Sequence, residues 1–208
     1  MNPEKPDNYF AQFDLPRHLL IDAAALERAF YAQSRKLHPD RFASRPPAEQ
    51  EAALAASSQL NDAYRTLRDP IARTEYLLAL EGIQLEEQSR AATDAARATG
   101  TEKKQVAPPD LLEEAFELNM QLEEMRMARK MGEDDPSARA DLEAARTKFT
   151  AMLNDLQRQL QSLWSNWDAA EDANDSTARD TAKQSMVALL NRRSYIRNLV
   201  RDVNSALE

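Results

Sequence analysis

Every glycine and every proline in this chain falls where a hydrophobic repeat breaks. Gly82, Gly100 and Gly132 stand between periodic segments, as do Pro3, Pro6, Pro16, Pro39, Pro46, Pro47, Pro70, Pro108, Pro109 and Pro136. Proline removes a backbone donor and glycine loses the most entropy on ordering, so both disfavour helix interiors and suit helix ends. A chain punctuated in this way, and otherwise rich in alanine, leucine, glutamate, glutamine and arginine, is predicted to be all-α. Its 208 residues, 42% of them hydrophobic, suffice for one large domain or two small ones.

The first segments describe a helical hairpin. Residues 9–13, Tyr-Phe-Ala-Gln-Phe, read as one aromatic turn before Leu15-Pro16. Asp22 is placed to cap a helix in which Leu26, Ala29, Phe30, Gln33 and Leu37 recur at helical spacing. Pro39 forces His38 out of the α region, so this helix must end at Leu37 and leave His38-Pro39-Asp40 at an exposed bend. Pro46-Pro47 opens a second helix with Ala52, Ala55, Gln59, Ala63 and Leu67 on one side, and alanines permit the close approach of an antiparallel partner. Asp69-Pro70 begins a third, residues 71–80, whose Tyr76, Leu77, Leu78 and Leu80 should pack on the hairpin before Gly82 ends it.

Residues 86–107 are polar and alanine-rich without a sustained apolar stripe, and read as a linker or a partly helical insertion. Beyond them lie three long amphipathic helices. Asp110 with Glu113 has the form of a capping box for the first, whose Leu111, Ala115, Leu118, Leu122 and Met125 form a core stripe. Leu142, Ala145, Phe149, Leu153, Leu156, Leu160, Leu163 and Trp167 mark the second, with Trp164 and Trp167 expected to cap the bundle core. The third runs Ala182, Met186, Leu189, Arg193, Ile196, Val200, Val203, Leu207, a 4-3 rhythm broken only by Arg193, which can extend its stem outward or pair with an acid such as Glu117. Helices with one apolar stripe each are stable only together, which predicts an antiparallel three-helix bundle, monomeric by default.

Charge and composition narrow the function. Between residues 15 and 45, Arg17, Arg28, Arg35, Lys36, Arg41 and Arg45 stand against Asp22, Glu27 and Asp40, so this stretch carries +3 and the remainder −11 of a net −8. An acidic chain is a poor ligand for nucleic acid, whereas a basic patch on it suits an acidic protein partner. With no cysteine the chain offers neither disulfides nor thiolate metal ligands, and His18 has no second histidine or carboxylate cluster at ligand spacing. No metal or other cofactor is expected. No apolar run is long enough to span a membrane, and residues 1–7 are acidic and proline-bearing, unlike a signal peptide, so the expected location is cytoplasmic. Glutamate pairs such as Glu123-Glu124 lack the pocket or metal spacing of an active site, and the chain is not read as an enzyme.

The basic helix, His38-Pro39-Asp40, and a second helix ending Asn61-Asp62-Ala63-Tyr64-Arg65-Thr66-Leu67 together resemble the J-domain of DnaJ co-chaperones. Asn8-Tyr9-Phe10 with Phe13, then Leu37 through Phe42, then Leu67-Arg68-Asp69-Pro70 with Arg73-Thr74-Glu75-Tyr76-Leu77-Leu78, look like the HscB-type members of that superfamily, which act in iron–sulfur cluster assembly. The resemblance implies a J-domain at 1–82, a linker or insertion at 83–108 and a scaffold-binding three-helix bundle at 109–208. It also implies a co-chaperone that stimulates the ATPase of an HscA/DnaK-class chaperone and delivers an IscU-type scaffold to it.

On this resemblance His38, Pro39 and Asp40 would be required for stimulation, and Arg28, Arg35, Lys36 and Arg41 would supply the electrostatic contact. Leu112, Phe116 and Met120, about 100° around the helix from the core stripe and flanked by Glu113 and Glu117, would receive the scaffold. A wide core stripe would use the same three apolar residues. The chain departs from the family pattern at Glu113 and Met120 and in its longer segment after Gly82. Two other readings fit the same residues: a J-protein serving a different client, and a helical adaptor in which the tripeptide is incidental.

Overall fold

A computed structural model describes residues 8–83, 85, 108–132 and 135–208. Every described element is helical: α1 (Tyr9–Gln12), α2 (Ala23–Leu37), α3 (Pro47–Arg68), α4 (Pro70–Leu80), α5 (Leu112–Met131), α6 (Pro136–Asp172) and α7 (Ser176–Leu207), with 3-10 turns at Pro39–Arg41 and Pro109–Leu111. The all-α expectation is met. The insertion expected at 86–107, with Pro3, Pro6 and Gly100, lies outside the described residues.

Two compact units divide the chain. The first is Met1–Gln84 with Trp164–Lys183, the tip of the hairpin formed by α6 and α7. Asn8 caps α1 through Ala11 N, and Asp22 caps α2 by accepting from Ala24 N and Ala25 N. Asp69 caps α4 in the same way through Ile71 N and Ala72 N, with Pro70 opening the helix. Helices α2 and α3 pack together, Phe30 stacking on Tyr64 with centroids 4.2 Å apart. The inward face of α3 is Ala53, Leu60, Ala63 and Leu67, whereas Ala52 and Ala55 are exposed. The expected stripe is thus corrected by one position in the first turns, because alanine at 52, 53, 55 and 56 gives the pattern no contrast there.

The tip of the last hairpin departs from the sequence expectation, which gave Trp164 and Trp167 to the bundle core. Both are buried in the first unit, where Trp167 Nε1 donates to Arg17 O at 2.9 Å. Asp168 beside it is buried and accepts the backbone N–H groups of Leu19 at 2.6 Å and Leu20 at 2.9 Å. His18 Nε2 lies 3.0 Å from Asp172 Oδ1, and Glu81 pairs with both Arg17 and Lys183. A loop with free backbone donors needs acceptors, and the hairpin tip supplies them.

The second unit, Leu85–Leu163 with Gln184–Glu208, is the three-helix bundle. Leu118, Leu122 and Met125 of α5, Leu142, Phe149 and Leu156 of α6, and Ile196, Leu199 and Val203 of α7 form its core. Gly132 ends α5 at φ +72°, its N–H reaching Ala128 O and Arg129 O, a left-handed cap that glycine adopts without a Cβ penalty. The capping box at Asp110 is not formed. Asp110 lies in the 3-10 turn, the residue before α5 is Leu111, and the Asp110 carboxylate instead takes the Arg192 guanidinium, which holds it below the usual carboxylate range. No ion pair joins Arg193 to Glu117 among the described residues; Arg193 is half-buried.

Candidate functional site

His38 terminates α2 at φ −60° and ψ 131°, the extended conformation that a following proline dictates. The chain then closes a tight turn in which Arg41 N donates to His38 O at 3.0 Å. Asp40 N reaches His38 Nδ1 at 3.3 Å. The same Nδ1 lies 3.4 Å from Asp40 Oδ2. The side chains of His38 and Asp40 are 57% and 89% exposed, so the charged tip is presented to solvent and not consumed in packing. The loop behind it is tied at several points. Arg41 Nη1 donates to Arg35 O at 3.3 Å, and Gln50 Nε2 donates to Ala43 O and, at 2.8 Å, to Arg45 O. A tip held this way loses little entropy on docking.

Arg28, Arg35, Lys36 and Arg41 are all exposed, and α2 turns its apolar residues inward, with Leu26 buried and Gln33 Nε2 donating to Gln12 O. Arg35, Lys36 and Arg41 therefore share the tripeptide's end of the α2–α3 hairpin, with Arg28 farther back along α2. Tyr31, 53% exposed between Arg28 and Arg35, belongs to the same surface, and its position off the apolar stripe of α2 is the sequence signal for it.

In the bundle, Leu112, Phe116 and Met120 are 55%, 68% and 60% exposed, so a wide core stripe does not account for them. Glu113 and Glu117 beside them are exposed as well. Two more apolar residues of α5, Met127 and Met131, are 56% and 70% exposed. Among the described residues no group of three or more histidine, cysteine or acidic side chains is arranged to hold a metal ion, and no helix is long and apolar enough to cross a membrane.

No protein-family model matches the chain. A co-chaperone protein HscB homolog of Vibrio cholerae is 35% identical over 167 residues, covering 79% of this chain and 85% of that protein. The chain belongs to the HscB co-chaperone family. A second HscB homolog, from Bordetella petrii, is 46% identical over 90 residues, which span 43% of this chain and about half (53%) of that protein. The solved structure of the HscB chaperone from Vibrio cholerae superposes on 95% of the chain and 96% of its own length, with a TM-score of 0.60 and 28% identity. In HscB terms the helical hairpin with α1 and α4 is a J-domain, and its bend carries His38-Pro39-Asp40.

Proposed function

We propose that this HscB-family chain stimulates ATP hydrolysis by an HscA/DnaK-class chaperone and delivers to it an IscU-type scaffold, aiding the maturation of iron–sulfur proteins. The observation that carries this reading is the solvent-facing His38 and Asp40 pair, held in a tight turn at the end of a basic helix. The exposed cations of α2 orient the encounter with an acidic chaperone surface. The tip then favours the hydrolysis-competent state by binding it better than the alternatives, which is how a non-catalytic partner can shift an ATPase. His38, Pro39, Asp40, Arg28, Arg35, Lys36 and Arg41 make this contact, from a J-domain spanning 1–82.

The bundle, from 109 onward, carries the scaffold on Leu112, Phe116 and Met120 with Glu113 and Glu117 at their border. The exposure of these apolar side chains supports the assignment, since a folded monomer has no structural need to leave three large hydrophobic residues in water on one helix face. The chain acts in the cytoplasm as a monomer without catalysis or cofactor of its own. Steady-state ATP hydrolysis by the chaperone, measured with chain and scaffold added separately and together, tests the reading: the largest rate is expected with both present, and no effect of the chain in either mixture would refute it.

A further inference from the structure

The exposed apolar stripe of α5 does not stop at Met120. At about 100° per residue, Leu112, Phe116, Met120, Met127 and Met131 fall within an arc of about 100°, and at 1.5 Å per residue they extend over about 28 Å of helix; the same arc holds Glu123, paired with Arg126, and Lys130. All five are more than half exposed. Glu113, Glu117 and Glu124 run along one edge of this arc, exposed and without an ion-pair partner among the described residues. The same edge leads to a cleft of about 270 Å³ between α5 and α6, lined by Glu114, Glu117, Gln121, Asp141 and Lys148 among others. Long, polarizable and unbranched, methionine side chains can adapt to a partner's relief.

We infer that the partner surface runs the whole length of α5, and that Met127 and Met131 are its second half. This rests on the proposal that the bundle carries the scaffold. The occupant is then the scaffold itself, presenting an apolar strip bordered on one side by lysine or arginine, with one such cation entering the acidic cleft. A second copy of this chain fits less well. In an antiparallel two-fold pairing each edge of α5 meets the same edge of its mate, which would bring Glu113 and Glu117 against Glu124, like charge on like.

The test is a calorimetric titration of the full-length chain with purified IscU-type scaffold at low and moderate salt. Met127→Ala with Met131→Ala is expected to weaken binding by about tenfold, as loss of interface apolar anchors does. Glu124→Gln is expected to flatten the salt dependence, as removal of a cross-interface charge does. Circular dichroism of each variant controls for folding, which substitutions at exposed positions should leave intact. If Leu112→Ala with Phe116→Ala abolishes binding while the methionine pair has no effect, the extension is wrong and the shorter surface stands. If neither pair has an effect, the scaffold surface itself is elsewhere. A dimer that the methionine substitutions dissociate, with scaffold affinity unchanged, would assign the stripe to self-association and overturn the inference.

Discussion

Asp168 Oδ1 accepts the backbone N–H of Leu19 at 2.6 Å, a buried bond between residues 149 positions apart. The same carboxylate holds Leu20 N through its second oxygen at 2.9 Å, so one side chain fixes the loop between α1 and α2 against the end of α6. Asp168→Ala leaves the Leu19 donor buried without an acceptor, for which a loss of about 1–3 kcal/mol is expected. Asp168→Asn keeps one acceptor oxygen and should lose less. Urea denaturation measures the difference, and hydrogen exchange at the Leu19 and Leu20 amides should accelerate in both variants.

Burial pushes the Asp168 carboxyl above the usual carboxylate range, although the N–H groups of Leu19 and Leu20 and the charges of His18 and Arg73 pull the other way. Asp110 is the opposite case, lowered chiefly by its hydrogen bond from Arg192. A raised folded value means that the folded state binds the proton more tightly, so the Asp168 contribution to stability grows as pH falls between its raised value and the ordinary one. A lowered value means that stability is lost as pH falls from the ordinary value through the lowered one. Relative to wild type, Asp168→Asn should therefore compare worse with increasing acidity in its window and Asp110→Asn better in its own. Melting temperatures across pH 3 to 7 for the two variants should diverge in opposite directions; parallel curves would contradict both assignments.

Helix ends were the most legible part of the sequence, because their signals are local. Asp22, Pro39, Asp69-Pro70 and Gly132 each act on the residues beside them, and each stands at the boundary it marks. The capping box at Asp110 failed because Pro108 and Pro109 begin a 3-10 turn there and Arg192, from a different helix, offers the carboxylate a better partner. Trp167 was misplaced for a similar reason: its partner lies 150 residues earlier, at Arg17, beyond any periodicity, and the contacts of Asp168 with Leu19 and Leu20 are equally distant in sequence. Buried charges such as Arg73, whose Nη1 donates to Leu67 O at 2.6 Å, are likewise invisible to an apolar pattern. Of the surface residues, the tripeptide and the cations were readable by type and the stripe at Leu112 by spacing, while Met127 and Met131, seven and eleven residues past Met120, fall outside that i+4 series.

Trp167 gives a conservative probe of how the hairpin tip joins the first unit. Trp167→Phe keeps an aromatic ring in the core but removes the indole donor to Arg17 O. A destabilisation of about 1–2 kcal/mol is expected, from the orphaned carbonyl and the smaller ring. Trp167→Ala should lose about 3–5 kcal/mol. Chemical denaturation followed by tryptophan fluorescence from the remaining Trp164 would measure the first; equal losses in the two variants would mean that the ring volume contributes nothing.

Under the proposed function the α2 cations act by steering. Arg28→Glu with Arg35→Glu should lower the apparent affinity for the chaperone by about ten- to a hundredfold at low salt, with a smaller effect at high salt, because the Debye length shrinks from about 10 Å at 0.1 M to about 3 Å at 1 M. The maximal rate at saturating concentration should change little. Titration of ATPase stimulation at several salt concentrations separates the two; a lost maximum with unchanged affinity would place these residues in the activation step instead.

The most direct measurement is single-turnover ATP hydrolysis by an HscA/DnaK-class chaperone with the IscU-type scaffold present. The full-length chain should accelerate the turnover, and His38→Gln should abolish the acceleration while leaving the helical fold and scaffold binding as they were. An unaccelerated turnover with the unaltered chain and bound scaffold, or undiminished acceleration by His38→Gln, would contradict the claim that the exposed tip acts on the chaperone.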